Sequence, residues 1–197
     1  EVLAADLSHP RDLGNVEARV ADPDQPIDLL VNNAGFGLKQ RFLDNPVEAE
    51  VEMLDVLVTA VLRLSHAALG AMTDRGAGGI INVSSVAAFL PRGSYSAAKA
   101  WVNSFSEWAH NEYKPRGVTV MALCPGFTKT EFHQRMDVKR GDGMMWLDAD
   151  FLVARALRDF EKGRAYSIPG AQYRVIASLT RAVPSRLLQL TQSLGRK

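Results

Sequence analysis

The chain has 197 residues, a formal net charge of +1 and one cysteine, Cys124. The near-neutral charge gives no argument for a nucleic-acid or acidic partner, and one cysteine leaves neither a disulfide framework nor a cysteine-built metal site. No metal site is predicted, because the four histidines lack ligand spacing: His9, His66, His110 and His133.

Short apolar runs alternate with helical patterns along the chain, which is typical of a parallel sheet covered by helices. The predicted strands are residues 2–5, 27–31, 80–83, 118–123 and 164–168. The predicted helices are residues 9–20 with Ser8 as N-cap, 46–72 with Asn45 as N-cap, 95–113, and a helix capped by Asp148 that runs to residue 160. The length suits a single α/β domain.

Most of the recognisable chemistry lies between residues 80 and 99. The strand at 80–83 delivers Ser84 and Ser85 at its carboxyl end, where open α/β sheets bind their ligands. Tyr95 and Lys99 follow, four residues apart on one helix face. A nearby ammonium favours the phenolate, and a tyrosine tuned in this way can exchange a proton with a carbonyl or alcohol oxygen. The alternative interpretation is a solvated helix face with a core-lining tyrosine.

Ser85 with Tyr95-Ser96-Ala97-Ala98-Lys99 resembles the Ser…Tyr-x-x-x-Lys set of the short-chain dehydrogenase/reductase family. Asn32-Asn33-Ala34-Gly35 and Pro125-Gly126 stand in the family's order, so the resemblance covers nearly all of the chain. It is strongest to bacterial oxoacyl-reductase-like members. The resemblance implies a Rossmann-like, doubly wound parallel sheet in which Tyr95 is the acid/base. Lys99 would lower its pKa and bind ribose, and Ser85 would orient the substrate oxygen.

The resemblance also implies which residues contact a nicotinamide cofactor. Asp6 would bind the adenine, residues 33–35 would lie along the ribose, and the Thr128 amide and Thr130 hydroxyl would hold the nicotinamide carboxamide. The implied cofactor residues are Asp6, Leu7, Asn33, Ala34, Gly35, Tyr95, Lys99, Pro125, Gly126, Thr128 and Thr130. The subgroup favours NADP, and NAD stays possible. Taken alone, Asp6 reads as a strand-end cap and residues 32–37 as an ordinary turn.

Two positions depart from the family pattern. Leu57 stands where the family carries an asparagine that kinks the helix and holds a water of the proton relay. Either the relay is altered or the alignment of this helix is shifted. The ten-residue spacing from Ser85 to Tyr95 is also shorter than the usual dozen or so.

The glycine-rich turn that opens a dinucleotide-binding fold is missing from the pattern. Such a turn follows a strand and begins a helix whose N-terminus holds the pyrophosphate, whereas the glycine cluster at residues 76–79 precedes a strand. We therefore expect an N-terminally incomplete sheet that lacks its first two strand–helix units, about 60 residues. Residues 1–197 would form one partial domain, with a substrate lid at 131–150 and a C-terminal helical tail at 171–197.

The predicted function is hydride transfer between NADP(H) and a carbonyl or secondary alcohol, with an apolar ketone or ketoacyl substrate. The alternative is a catalytically impaired relative that keeps the sheet as a binding or oligomerisation scaffold. Two long apolar helices, 46–72 and 95–113, predict a homodimer or homotetramer. No apolar run approaches the roughly 20 residues of a membrane span, so a cytoplasmic location is expected. The substrate and the direction of reaction stay open.

Overall fold

The computed structural model describes residues 1–130, 143 and 145–182. Within these residues the strands form one four-stranded parallel sheet in the order β1-β2-β3-β4. The strands are β1 (Leu29–Asn32), β2 (Gly78–Val83), β3 (Val118–Leu123) and β4 (Tyr166–Ser167). The predicted parallel α/β architecture is confirmed.

The helices that cover the sheet are α1 (Pro10–Ala21), α2 (Val47–Leu54), α3 (Ala60–Asp74), α4 (Ser94–Tyr113), α5 (Ala149–Glu161) and α6 (Ala171–Ala182). A π-helical turn, Asp55–Thr59, joins α2 to α3, so that residues 47–74 form one long helix with a local bulge. Short 3-10 helices lie at 42–44, 86–89 and 114–116.

Alternate residues of the central strands face two separate cores, as the period of a strand requires. Ile80 and Val120 pack on the side of α1 and α3, and Ile81 and Met121 pack on the side of α5. Burying one such side chain contributes about 1.5–3 kcal/mol. The two cores hold the sheet rigidly and leave the carboxyl ends of its strands for the site.

A network of polar side chains crosses the sheet between the helices. Asn32 donates from Nδ2 to Asn82 Oδ1 at 2.8 Å and to Ser65 Oγ at 3.2 Å. Asn82 in turn donates to Ser106 Oγ at 2.9 Å. All four side chains are buried, and these bonds link α3, β1, β2 and α4.

Residues Val47–Asp74 are long and apolar enough on average to cross a membrane. Several of their apolar side chains nevertheless belong to the protein's own core, since Met53, Leu57 and Met72 are each at most 1% exposed. We interpret this segment as a core helix.

The strand predicted at residues 2–5 is wrong. The segment is irregular, and Val2 is 96% exposed. A strand needs a neighbour to take up its backbone hydrogen bonds, and β1 pairs with β2 alone in the described part of the chain. The last predicted strand, 164–168, shortens to Tyr166–Ser167 for lack of further ladder partners.

Two predicted helix caps are also wrong. The N-cap of α1 is His9 and not Ser8, because Asp6 accepts hydrogen bonds from the backbone and hydroxyl of Ser8. The N-cap of α2 is Pro46, and Asn45 donates to Glu50 instead. Most of the predicted lid and the later half of the predicted tail lie outside the described residues.

Candidate active site

Ser84 connects the carboxyl end of β2 to α4 and to β3. The amide of Ser84 donates to Leu123 O of β3 at 2.7 Å, and the hydroxyl of Ser84 donates to Lys99 O of α4 at 2.9 Å. Ser84 is 3% exposed. The strand end and the first turns of α4 are therefore fixed relative to one another by packing and by a buried hydrogen bond.

Ser85 and Tyr95 come together at this end of the sheet, and their side chains are hydrogen-bonded. Ser85 Oγ also accepts from Ala87 N at 3.1 Å, which starts the 3-10 helix at 86–89. The chain then turns into α4 at Gly93, whose φ of +109° favours glycine. The short ten-residue spacing thus still brings the serine and tyrosine hydroxyls together.

The pKa of Tyr95 is raised above its usual value of 10.0, mainly because the phenol is buried, and the hydrogen bond from Ser85 opposes that rise. The expectation that Lys99 lowers this pKa is wrong for the side chains as they stand. Lys99 Nζ lies over the tyrosine ring, 5.9 Å from its centroid, and donates to Val83 O at 2.7 Å. The buried phenol is therefore protonated at neutral pH, which is the form that donates a proton.

Burial lowers the pKa of Lys99 from 10.5 to about 8. Below pH 8 the folded state carries a charged ammonium that is 6% exposed, and burying this charge is unfavourable. Between about pH 8 and 10.5 the unfolded chain binds more protons at this site than the folded chain does. The contribution of Lys99 to stability consequently rises with pH across that interval.

We compare the unsubstituted protein (the parent) with Lys99→Met. The difference between their free energies of unfolding should change by on the order of 3 kcal/mol in favour of the parent as the pH rises from about 8 to 10.5. Urea unfolding on either side of the interval measures the difference. The exposed Lys162→Met variant controls for removing a lysine charge from the surface. A difference that stays flat with pH would contradict the lowered pKa.

The predicted cofactor residues 33–35 follow β1 and are exposed at the same edge of the sheet. A Cβ atom on Gly35 would lie 2.7 Å from Leu57 Cδ2 and 3.9 Å from Lys99 Nζ. Gly35 therefore lies against both side chains. The roles of Asn33, Ala34 and Gly35 in binding a cofactor stay predictions.

Leu57 is fully buried inside the π-helical turn and packs with Met53 and Ala98, with Phe36 and Tyr95 at the margin of the same cluster. The helix distortion that the family resemblance assigns to an asparagine is present here around a leucine. A π-helical turn inserts one extra residue and often occurs at functional sites.

The loop after β3 reaches the site through Pro125, whose carbonyl accepts from Val86 N at 2.9 Å. Thr128 is buried; its hydroxyl donates to Gly126 O at 3.0 Å, and its backbone bridges to Leu147. Thr130 is exposed. The structure thus places Pro125 and Gly126 next to the segment that carries Ser85, and Thr128 and Thr130 further along.

Tyr173 of α6 holds this loop in place, and no motif in the sequence pointed to it. The phenol oxygen accepts from Phe127 N at 2.9 Å and donates to Met145 O. The side chain is 1% exposed, and burial raises its pKa. Tyr173 therefore connects α6 to two segments around the site.

Gly126 lies so close to the Tyr173 ring that a Cβ atom there would be 2.0 Å from Cζ. We expect Gly126→Ala to lower the free energy of unfolding by about 1–3 kcal/mol, because the ring and the loop must separate. Gly14→Ala is the matched control in α1, where a Cβ meets nothing within 4 Å and should be neutral or stabilising. Urea unfolding of both variants tests this, and equal stability for the two would contradict it.

Asp6 and Leu7 lie just before α1. Asp6 Oδ1 accepts from Ser8 N at 2.9 Å and from Ser8 Oγ at 2.7 Å, and these bonds lower its pKa. The carboxylate lines an open cavity of about 470 Å³ between the start of α1 and α2. Leu7 packs against the α1–α3 core. Their predicted contacts with adenine stay predictions.

A parallel sheet with a serine, a tyrosine and a lysine at the end of a central strand places the molecule among the Rossmann-like α/β proteins. The family model for short chain dehydrogenases matches residues 1–141. The chain belongs to the short-chain dehydrogenase family.

Individual relatives agree with that assignment. The chain is 31% identical over 138 residues to a 3-oxoacyl-[acyl-carrier-protein] reductase of Vibrio cholerae, which covers 68% of this chain and 57% of the relative. A short-chain dehydrogenase from Sphingobium yanoikuyae, solved in complex with NADPH, superposes with a TM-score of 0.84 at 30% identity over 98% of this chain and 75% of that one. The bulky-bulky ketone specific alcohol dehydrogenase from Comamonas testosteroni gives a TM-score of 0.78 at 28% identity, over 100% and 75% of the two chains. The chain thus spans little more than half the length of the curated relative.

Proposed function

We propose that this chain carries the catalytic site of an NADP(H)-dependent oxidoreductase that reduces an apolar ketone or ketoacyl substrate to a secondary alcohol. The observation that carries the proposal is the half-buried, hydrogen-bonded pair of Ser85 and Tyr95, with Lys99 over the tyrosine ring. A catalytically impaired scaffold would be favoured if Ser85, Tyr95 and Lys99 were separated. Instead, Ser85 is hydrogen-bonded to Tyr95, and Lys99 lies over the tyrosine ring.

The residues present fit one half of a nicotinamide dinucleotide. Residues 33–35 follow β1 and Pro125 and Gly126 follow β3, the two strands that flank β2. The ammonium of Lys99 lies beside Gly35 and over the tyrosine ring. This edge would hold the ribose and nicotinamide. Among residues 1–130 and 145–182, no glycine-rich turn connects a strand directly to a helix, so the described part offers no such holder for the pyrophosphate.

In the proposed reaction the cofactor supplies hydride, and the residues of this chain supply the proton. Tyr95 donates its phenolic proton to the substrate oxygen as negative charge develops there. Ser85 donates a hydrogen bond to the same oxygen and orients it. The ammonium of Lys99 stabilises the phenolate that remains. The raised pKa of Tyr95 suits this reductive direction, because the proton is in place at neutral pH.

An apolar substrate is favoured by the side chains that follow the Pro125 loop. The rings of Phe127 and Trp146 lie with centroids 5.3 Å apart, and Met145 is 39% exposed beside them. The relatives named above act, by their names, on a 3-oxoacyl-[acyl-carrier-protein] and on bulky-bulky ketones. The subgroup resemblance and the NADPH-bound neighbour support NADP(H), with NAD(H) as the alternative.

The test is the oxidation of NADPH and of NADH, followed by absorbance, with acetoacetyl-CoA and with a diaryl ketone. We expect turnover with NADPH and at least one of the two substrates. Tight cofactor binding without turnover on any carbonyl or alcohol would favour the scaffold alternative over the proposal. A cytoplasmic location is proposed for the enzyme on the same family resemblance.

We also propose that the protein associates through its two long helices. On α4, Trp101 and Phe105 stack with centroids 5.0 Å apart, and Trp108 continues the row while 53% exposed. Light scattering should give a dimer or tetramer at micromolar concentration, and Trp108→Glu should shift it towards monomer. Val175→Glu, at an exposed apolar position of α6, is the control. A monomeric parent would contradict the proposal.

A further inference from the structure

Glu50 is a buried carboxylate that the proposed chemistry does not use. It lies in the first turn of α2 and is 6% exposed. Carboxylates are rarely buried unless they are paired or hydrogen-bonded. Both oxygens of Glu50 have neutral partners: Oε1 accepts from Asn45 Nδ2 at 2.8 Å, and Oε2 accepts from Ser94 Oγ at 2.5 Å.

Ser94 is the first residue of α4 and directly precedes Tyr95. The N-cap of α4, Gly93, offers no side-chain cap, and the first turn of the helix contains no acidic residue. A helix N-terminus carries partial positive charge and amides without partners inside the helix. Glu50 contacts this N-terminus from a different helix, by accepting a hydrogen bond from the hydroxyl of Ser94.

The contact from Glu50 complements a second anchor one turn further along α4. Lys99 is fixed to the end of β2 by its own bond to Val83 O and by the bond from Ser84 to its carbonyl. Tyr95 lies between the two anchors. The rotation of the first turn of α4, which sets where the phenol meets Ser85, is thereby fixed at both ends.

We propose that Glu50 is a positioning residue that acts through Ser94 to hold Tyr95 against Ser85. The inference rests on the proposed function for its effect on turnover. A displacement of about 1 Å at a reacting group can lower a rate by about 10²-fold. The loss should therefore appear in kcat more than in KM.

The experiment measures kcat and KM for Ser94→Ala, Glu50→Ala and Glu50→Gln, and for the double variant Glu50→Ala/Ser94→Ala. We expect Ser94→Ala and Glu50→Ala to lower kcat by about 10-fold or more with KM within about twofold. Glu50→Gln keeps groups that can bond both partners and should retain most of kcat. The double variant should be no slower than the slower single variant, because the two residues act as one unit.

The controls are Ser104→Ala and Glu112→Ala, which alter exposed residues on the same helix and should leave kcat unchanged. Three results would overturn the proposal: an unchanged kcat in Ser94→Ala, losses that add in the double variant, or a Glu50→Gln variant as slow as Glu50→Ala. Ser94→Ala removes only one hydroxyl, so it keeps the test available if Glu50→Ala does not fold.

Amide hydrogen exchange separates this inference from the proposed function. If the parent reduces no carbonyl, the proposed function fails, and exchange in the first turn of α4 decides the role of Glu50. Faster exchange confined to that turn in Ser94→Ala would support positioning. Unchanged exchange there would overturn it.

Discussion

Replacing Tyr95 with phenylalanine should lower the rate of carbonyl reduction by about 10²–10⁴-fold, the usual contribution of general acid–base catalysis. The phenyl ring preserves the packing of the partly buried side chain beside Leu57 and Ala98 but has no proton to donate. Binding of NADPH should stay within a few-fold of the parent. Steady-state kinetics and a fluorescence titration of NADPH measure the two effects separately.

Tyr113→Phe is the matched control, since it removes a phenolic hydroxyl from the far end of the same helix. It should leave the rate unchanged. Undiminished turnover in Tyr95→Phe would show that Tyr95 is not the proton donor. Ser85 and Lys99 would then be the candidate donors.

The affinity for NADPH should depend on a phosphate-binding turn that the described residues do not contain. We expect the 197-residue chain to bind NADPH weakly. Asp6, residues 33–35, Thr130 and Lys99 are predicted to contact adenine, ribose and nicotinamide, and no glycine-rich turn from a strand into a helix is present among the described residues to hold the pyrophosphate. A chimera that joins the chain to the N-terminal segment of the Vibrio cholerae relative should bind at least about tenfold more tightly, corresponding to 1.4 kcal/mol.

Titration of NADPH fluorescence compares the chain with the chimera, and a chimera whose glycines in the phosphate turn are replaced by alanine is the control. Micromolar affinity in the 197-residue chain alone would contradict this prediction.

The sheet and the Ser85–Tyr95–Lys99 cluster could be predicted because their signals are local. Continuous apolar runs such as residues 118–123 form central strands, and the four-residue spacing of Tyr95 and Lys99 fixes one helix face. The prediction of a strand at residues 2–5 was wrong, because a strand depends on its neighbours in the sheet and a short apolar run does not reveal them.

The groups that support the site were not predictable, since their partners are distant in sequence. Tyr173 contacts a backbone amide 46 residues away, and Glu50 bonds a serine 44 residues away. Asp159 is buried and accepts from Arg155, Arg164 and Ser167, which secures the short β4 against α5. The direction of the Tyr95 pKa shift also required the structure, because burial raises this pKa more than the hydrogen bond from Ser85 lowers it.

Side-chain hydrogen bonds connect Ser65, Asn32, Asn82 and Ser106. They help to fix the register of β1 against β2, in addition to the backbone hydrogen bonds of the ladder. Asn32 lies opposite Asn82 in the ladder, so a slip of β1 by one residue would turn one amide out of the core and leave the other unsatisfied. An unsatisfied buried polar group costs about 1–3 kcal/mol. These side-chain hydrogen bonds therefore disfavour a shifted register, and they keep the end of β1 level with the end of β2, where the predicted cofactor residues 33–35 and Ser85 lie.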